Sequence, residues 1–455
     1  MITLLAFILT LGVLIVIHEY GHYRVAVACG VKVLRFSVGF GRVLWRRQAT
    51  PDSTEFVVAM LPFGGYVKML DEREGAVPPE ERHRAFNSKP LWQRTAIVSA
   101  GPIANLLLAV LLYAAANWIG IDEPKAVLGS PPAASLAERA GVRAGDWARA
   151  ASNDGEQWRE LRSMTDLRWE ITQAVLHDEP LHLGVSNGSG RSERRVVLPL
   201  DTLEAKELDA QLMRRIGLGQ TYSEPVIDSV QPGGPAAQAG LMRGDRVLSI
   251  DDQPIVDRAR LIEIISSSAA GGEPPAMQWH VERSGQTIEL TVKPAVVGEG
   301  DKRIGRVQAA IGKRPEMVLV QYDFLEGLSQ AATRTWEMSA LTLKMLGKML
   351  IGQASLKNLS GPLTIADYAG QSVQLGLAYY LGFLAVVSVS LGVLNLLPLP
   401  MLDGGHLMYY LFEAVTGRPV SEQWLERLQR GGVAIMLVMM SLALYNDVAR
   451  LLGLH

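Results

Sequence analysis

The 455-residue sequence contains little cysteine and no large excess of charge of either sign. Cys29 is its one cysteine, so no disulfide can form within the chain, and any extracytoplasmic domain must be held together by packing alone. The 44 basic and 46 acidic residues give a net charge of −2, which argues against a basic surface for nucleic acid. Charged residues still make up 20% of the chain, which argues against global disorder.

Length and hydropathy together indicate a chain that is part membrane-embedded and part soluble. The chain is too long for one ordinary domain. Its mean hydropathy of +0.15 is high for a soluble protein and low for one that lies wholly in a bilayer. We therefore expect a few membrane helices joined to sizeable water-soluble domains.

Four apolar stretches are long enough to be transmembrane helices. The first lies in residues 1–28, and its opening 17 residues carry no charge and no small-residue cleavage site, so we expect a retained helix and not a cleaved signal peptide. The others are 96–119, 376–405 and 431–452. A further apolar region, 326–375, is interrupted by charges and is predicted to be an amphipathic helix and linker beside the membrane.

The charge of the short connecting segments predicts the orientation. Residues 29–95 carry 11 Lys/Arg against 7 Asp/Glu, which favours the cytoplasmic side. With four spans, both termini and the long region 120–325 are then expected outside, and 403–430 is expected inside. Cys29 falls on the predicted cytoplasmic side.

The soluble region contains an internal repeat. Residues 132–156 and 235–254 share Pro-Ala-Ala, Ala-Gly and Gly-Asp elements, and the last two recur at an offset of 99. We therefore predict two domains, 124–216 (the first repeat) and 220–310 (the second repeat).

The pattern of each repeat resembles a PDZ domain: a short helix, a turn at Gly-Asp and then a strand. PDZ domains bind extended peptides by adding them to a sheet edge. The second repeat fits well, whereas Trp147-Ala148-Arg149-Ala150 stands where the first repeat should have an apolar strand. The predictions are contact with peptide or substrate segments, or alternatively a rigid spacer without a ligand.

The clearest chemical motif is His18-Glu19-Tyr20-Gly21-His22. On a helix, His18 and His22 share one face, so that two imidazoles can reach one metal ion. Zinc activates water near neutral pH, and Glu19 is placed to act as the general base. Ionisable residues at the end of an uncharged apolar run are costly in lipid and usually mark function. The alternative is that the helix simply ends there and the histidines are interfacial.

A catalytic zinc ion needs a third protein ligand, and Asp403 is the best candidate. It follows Pro398 and Pro400, which end the third predicted span. At 1.5 Å per residue, the two histidines lie roughly 27–33 Å along the first helix, near the inner end of a ~30 Å core. Asp403 follows the inner end of its own span, so the ligands are expected at one depth. The alternative for Asp403 is a helix cap or a turn.

These motifs, in this order along nearly the whole chain, resemble the site-2 protease family: HEYGH in the first span, two PDZ-like domains, and Asn395-Leu-Leu-Pro398 with Leu402-Asp-Gly-Gly later. The resemblance implies an intramembrane zinc metalloprotease in which His18, His22 and Asp403 bind one zinc ion. Glu19 is then the catalytic base, and Asn395 acts near the scissile carbonyl, for example as an oxyanion donor.

The resemblance also implies partners and a location. The substrates are expected to be transmembrane segments of single-span proteins, such as anti-sigma factors already trimmed outside and remnant signal peptides. The enzyme is expected in the bacterial inner membrane and its lipid bilayer, with periplasmic PDZ domains that screen substrates and an active site towards the cytoplasm. No nucleic-acid partner is expected.

Residues 29–95 are predicted to supply the surface that holds the substrate. Three runs between 33 and 68 have the composition of strands with glycine turns, and the resemblance implies a β-hairpin that dips into the membrane. The alternative is an ordinary cytoplasmic hairpin. The candidate substrate-binding residues are Gly39, Phe40, Gly41, Gly64, Gly65, Tyr66, Asn358 and Pro398.

The predicted fold class is therefore a polytopic α-helical membrane protein with four transmembrane helices, a membrane-associated β-hairpin region and two tandem PDZ-like α+β domains. The sequence leaves two alternatives to the intramembrane protease. A membrane-tethered PDZ adaptor or chaperone with a non-catalytic metal site is disfavoured by Glu19 between the histidines. A metalloprotease that cuts cytoplasmic loops would usually take a Glu as third ligand, which the Asp403-Gly404 motif does not supply.

Overall fold

The computed structural model describes residues 2–73, 75–187, 193–203, 212–219, 221–270, 272–298, 303–351 and 361–452. The chain forms two compact units. The first combines residues 1–121 with 321–455, and the second covers 122–320.

The first unit begins with two long helices and a pair of strands. The elements are α1 (Ile2–Ala28), β1 (Val33–Arg47), β2 (Glu55–Met69) and α2 (Leu91–Ile119). α2 starts directly after Pro90, five residues before the predicted span, and Pro102 lies inside it. The two helices approach closely at Gly21, where a Cβ atom would lie 2.4 Å from the carbonyl oxygen of Ala100.

The strands β1 and β2 form an antiparallel pair that packs against α1. Val33 lies opposite Met69 and Val38 opposite Gly65, with an irregular register between them and the far end of the pair. The ring of Tyr23 on α1 contacts Phe36 and Phe56, at centroid distances of 5.7 and 5.6 Å. These aromatic contacts fix the sheet to the helix that carries the HEYGH motif.

The second unit contains two segments of the same topology. Its elements are β3 (Ile121–Pro124), α3 (Leu136–Arg139), β4 (Trp147–Ser152), β5 (Arg159–Glu160), α4 (Met164–His177), β6 (Leu181–Ser186), β7 (Glu193–Leu198), α5 (Leu212–Ile216), β8 (Ile227–Val230), α6 (Pro235–Gln238), β9 (Arg246–Ile250), β10 (Gln253–Pro254), α7 (Arg258–Ser267), β11 (Met277–Arg283), β12 (Gln286–Val292), β13 (Ala295–Val297), β14 (Ile304–Arg306), β15 (Ala309–Ile311) and β16 (Met317–Val320). One four-stranded sheet has the order β5-β4-β6-β7, and the other has the matching order β10-β9-β11-β12. Each sheet covers its own buried hydrophobic core.

The Gly-Asp turn of each repeat is contacted by an arginine, although the two arginines come from strands that do not correspond in the two sheets. In the first repeat, Arg194 on β7 donates to Asp146 and to the carbonyl of Gly141. In the second, Arg283 on β11 donates to Asp245 and to the carbonyl of Gly240. The two aspartates lie at the same offset of 99 as the sequence repeat.

The strand that departs from the expected pattern in the first repeat is nevertheless part of the sheet. Ala148 and Ala151 of β4 are completely buried, and Ala150 pairs with Gly184 of β6. Small side chains replace the larger aliphatic ones, and the sheet forms because backbone hydrogen bonds do not depend on side-chain size.

The described residues from 324 to 452 form five further helices of the first unit. They are α8 (Phe324–Leu350), α9 (Pro362–Leu375), α10 (Leu377–Asn395), α11 (Asp403–Thr416) and α12 (Glu422–Leu451). α8 begins against the end of α2, where the rings of Trp118 and Phe324 stack at 4.8 Å. α9 is a separate helix in the stretch predicted as linker, and Asp403 starts a separate helix after the third span.

Among the described residues, four helices are long and apolar enough to cross a membrane. They lie at Ile2–Ala28, Leu91–Ile119, Leu377–Asn395 and Gln423–Arg450. The four predicted spans correspond to these helices, and together with the second unit they fit a polytopic membrane protein.

Candidate metal centre

The two histidines of the HEYGH motif lie one helical turn apart on α1. The helix continues through the motif to Ala28, so that residues four apart project from one face. The Nε2 atoms of His18 and His22 are 3.2 Å apart, and the rings meet edge to face with centroids at 4.9 Å.

A tight turn brings Asp403 to the same place. α10 ends at Asn395, and Pro398 and Pro400 prevent it from continuing because proline lacks the backbone N–H that a helix needs. At Gly404 a Cβ atom would lie 2.1 Å from the carbonyl oxygen of Leu397, so only glycine allows α11 to start this close to the turn. Asp403 is the first residue of α11.

The three side chains form a triangle with the dimensions of a zinc site. Asp403 Oδ2 lies 3.1 Å from His18 Nε2 and 3.5 Å from His22 Nε2. Tetrahedral zinc with ligand bonds of about 2.0–2.2 Å has ligands about 3.3–3.6 Å apart, which is close to these separations. Two imidazole nitrogens and one carboxylate oxygen are also the donors that zinc prefers. The residues present therefore fit a zinc ion.

Residues of α2 contact the Nδ1 atoms of both histidines, on the side of each ring opposite to the triangle. The Nδ1–H of His22 donates to the carbonyl oxygen of Ile97 at 2.9 Å. The Nδ1 atom of His18 faces the Nδ2 atom of Asn105 at 3.1 Å. Such outer partners orient metal-binding imidazoles.

Glycine on α2 makes room for the His22 ring. A Cβ atom on Gly101 would lie 2.3 Å from His22 Nε2 and 2.6 Å from Cε1. The Gly-Pro pair at 101–102 and Asn105 are unusual in a plain membrane anchor, and this is the signal by which the sequence marks α2 as part of the site. Which histidine each of these residues contacts could be identified only from the structure.

Glu19 lies beside the strand β2. It is partly buried, and a Cβ atom on Gly65 would lie 2.9 Å from its Cγ atom and 3.0 Å from Ile15 Cγ2. A glycine at this position therefore lets the backbone of β2 approach the carboxylate.

Glycines also shape the other candidate substrate residues. Gly39 and Gly41 have φ angles of 91° and 86°, which favour glycine. Phe40 stacks on Tyr66 with centroids at 6.1 Å, and a Cβ atom on Gly64 would lie 2.1 Å from the Phe40 ring.

The remaining predicted residues have simpler positions. Asn395 is the partly buried last residue of α10, and Pro398 lies in the turn before Asp403. Asn358 lies outside the described residues.

Comparison with known proteins gives matches along the whole chain. The sequence profile of peptidase family M50 matches residues 6–439. The regulator of sigma-E protease RseP of Escherichia coli K12 is 39% identical over 458 residues, covering 98% of both chains, and a protease RseP of Yersinia pestis is 39% identical over 463 residues, covering 99% of both. A protein of Ralstonia nicotianae, provisionally named a zinc metalloprotease, is 42% identical over 468 residues and covers 100% of both chains. Among solved structures, the PDZ domain of an SdrC-like protein of Listeria monocytogenes matches 22% of this chain and 92% of its own length at 22% identity, with a TM-score of 0.15.

Proposed function

The chain belongs to peptidase family M50, and we propose that this zinc metallopeptidase hydrolyses peptide bonds within transmembrane segments of single-span membrane proteins. The observation that carries the proposal is the triangle of His18 Nε2, His22 Nε2 and Asp403 Oδ2, with sides of 3.1 to 3.5 Å. Two of these residues belong to the apolar helix α1, which supports chemistry at membrane depth.

His18, His22 and Asp403 would hold one zinc ion. Zinc, when bound, supplies Lewis acidity that activates water and polarises the scissile carbonyl. The three side chains come from α1 and the start of α11, and a site with three protein ligands would leave a bound zinc ion accessible to water or substrate, as catalytic zinc sites require.

Glu19 is proposed as the general base. It follows His18 directly on α1 and points its side chain towards β2, where substrate is also proposed to lie. A carboxylate can take a proton from the attacking water and return it to the leaving amine. Asn395, at the end of α10, is proposed as a donor to the developing oxyanion.

Substrate is proposed to bind as an extended strand beside Gly65. A transmembrane helix hides its peptide groups in its own hydrogen bonds, so it must unwind before it can be cut. Among the described strands, the stretch 65–69 of β2 pairs with β1 alone, which leaves an edge for an added strand. Gly39, Phe40, Gly41, Gly64 and Tyr66 would shape this edge, and Pro398 and Asn358 are proposed to contact substrate from the helical part of the first unit.

The two repeats are proposed to be tandem periplasmic PDZ domains that screen substrates by the size of their outer portion. Their matching sheet orders and the Gly-Asp turns that recur at an offset of 99 support a duplicated domain. The names of the relatives that regulate sigma-E support anti-sigma-factor-like substrates, and remnant signal peptides are a second proposed class. The inner membrane is the proposed location.

Co-expression with a panel of tagged single-span proteins tests the proposal. Wild type, Glu19→Gln and Glu289→Gln are compared, because Glu289 is an exposed carboxylate of the second repeat. We expect Glu19→Gln to lower cleavage by about 10²–10⁴-fold, as removal of a general base does, with zinc content unchanged. The control variant should cleave like the wild type.

Two results would contradict the proposal. Unchanged cleavage by Glu19→Gln would exclude Glu19 as the base. Failure of the zinc-loaded wild type to cut any single-span protein would favour the adaptor function over proteolysis within membranes.

A further inference from the structure

Asn105 is a fully buried amide within one hydrogen bond of a proposed zinc ligand. Its Nδ2 atom lies 3.1 Å from His18 Nδ1, and its Oδ1 atom has no hydrogen-bond partner among the described residues. The hydroxyl of Ser388 on α10 donates to the backbone carbonyl oxygen of Asn105 at 2.7 Å. This contact ties the helix that carries the amide to the third span.

The tautomer of His22 indicates which tautomer His18 needs in order to bind a metal ion. A carbonyl oxygen can only accept a hydrogen bond, so the contact with Ile97 places the proton of His22 on Nδ1. Its Nε2 atom then keeps a lone pair for a metal ion. His18 also faces the triangle with Nε2, so its proton must likewise lie on Nδ1, and Nδ1 then needs an acceptor.

We propose that Asn105 is a positioning residue whose Oδ1 accepts a hydrogen bond from the Nδ1–H of His18. A half-turn of the amide exchanges Oδ1 and Nδ2 within the same volume, and hydrogen-bond partners decide between the two orientations. In the rotated amide, the buried Oδ1 accepts from the Nδ1–H of His18. His18 then has the tautomer that zinc binding needs. The inference rests on the zinc site proposed above.

The proposed bond would act on zinc affinity through His18. An acceptor behind a ligating imidazole fixes the orientation of the ring and raises the basicity of the ligating nitrogen. Loss of such an outer partner typically costs about 10–100-fold in metal affinity. Asn105 would therefore accept a hydrogen bond from the Nδ1–H of His18, as the carbonyl oxygen of Ile97 does from His22.

Substitutions at position 105 distinguish whether the Asn105 side chain acts on His18 as a hydrogen-bond acceptor or as a donor. Asn105→Asp keeps an oxygen at the same distance but cannot donate, whereas Asn105→Leu keeps the size and removes both functions. Thr10→Val is the matched control, because it removes another buried hydrogen bond of α1, the one between Thr10 and Tyr380, away from the triangle. The measurement is zinc retention by the purified full-length chain in detergent during competition with a chelator, with monodisperse elution as the check on folding.

We expect Asn105→Leu to bind zinc about 10–100-fold more weakly than the wild type, and Asn105→Asp and Thr10→Val to retain it. Equal loss in Asn105→Asp and Asn105→Leu would overturn the inference, since the amide would then act as a donor. Wild-type affinity in a folded Asn105→Leu would overturn it as well. A wild type that binds no zinc would overturn the proposed zinc site together with the inference, so the two failures are distinguishable. If Asn105→Leu does not fold, Asn105→Asp alone decides.

Discussion

The Oδ2 atom of Asp403 lies 3.1 Å from the Nε2 atom of His18, although one residue starts α11 and the other lies on α1. The side chains of His18, His22 and Asp403 are between 11% and 19% exposed. Burial of a carboxylate and two imidazoles is costly unless they are paired or bind a metal. The contact therefore explains why the end of the third span must turn back towards the first.

The first prediction concerns this carboxylate. Asp403→Ala removes one of three protein ligands, so we expect it to weaken zinc binding by more than the 10–100-fold that loss of an outer partner costs, and to abolish cleavage. Zinc content by elemental analysis and cleavage of a single-span substrate are the measurements. Asp367→Ala, at an exposed aspartate of α9, is the control. Full zinc occupancy in Asp403→Ala would show that another residue is the third ligand.

The sequence was most informative where a single residue type has few roles. The spacing of His18 and His22 and the isolated carboxylate of Asp403 predicted three groups that the structure brings together, because a helix fixes the direction of side chains four residues apart. The roles of Glu19 and Asn395 in catalysis stay predictions.

The second prediction concerns the space for the His22 ring. Gly101→Ala would place a Cβ atom 2.3 Å from His22 Nε2, so the ring or α2 must move. We expect weaker zinc retention and a loss of stability of about 1–3 kcal/mol from overpacking. Gly12→Ala on α1 is the matched control, since its Cβ atom would meet nothing within 4 Å. Chelator competition and thermal unfolding in detergent are the measurements, and equal behaviour of the two variants would contradict the predicted constraint.

Other parts of the site could not be read from the sequence, for physical reasons. Hydrogen bonds from α2 to the histidines depend on the packing of two helices, and the periodicity of an apolar helix does not specify which face meets which neighbour. The sequence predicts only a linker where α9 forms, because the N-terminus of this helix is stabilised by a residue far away in the chain.

The third prediction concerns that residue, Asp447. Its buried carboxylate on α12 accepts hydrogen bonds from the backbone N–H groups of Gly361, Leu363 and Thr364, and from the Thr364 hydroxyl. It therefore caps the first turn of α9 from another helix. Since each buried donor left unpaired costs about 1–3 kcal/mol, we expect Asp447→Ala to destabilise the first unit by at least about 2 kcal/mol.

Thermal unfolding of the full chain in detergent tests this cap. Glu426→Ala is the control, because Glu426 is an exposed acidic residue of the same helix and pairs with Arg430. Equal melting temperatures for the two variants would show that the cap does not stabilise the fold. Hydrogen exchange should localise the loss in Asp447→Ala to 361–375.

The last prediction concerns the Gly-Asp turn of the second repeat, where Asp245 is completely buried and Arg283 donates two hydrogen bonds of 2.7 Å to its carboxylate. Burial raises the pKa of Asp245, but the hydrogen bonds from Arg283 and the Met242 N–H lower it more, and the net pKa is below its ordinary value. A lowered folded-state pKa stabilises the fold above the unfolded pKa of about 3.9, and this contribution is lost as the pH falls through the folded pKa.

Arg283→Met leaves a buried charge without its partner, which typically costs about 3–5 kcal/mol. Hydrogen exchange of 277–292 in the full chain should therefore show lower protection in Arg283→Met than in the wild type at pH 7, and a smaller difference once the pH falls through the lowered folded-state pKa of Asp245. Arg243→Met, at an arginine that is 81% exposed, should match the wild type at both pH values. A difference between wild type and Arg283→Met that stays constant from pH 7 to below the folded-state pKa of Asp245 would show that packing of the arginine, and not its charge, stabilises the turn.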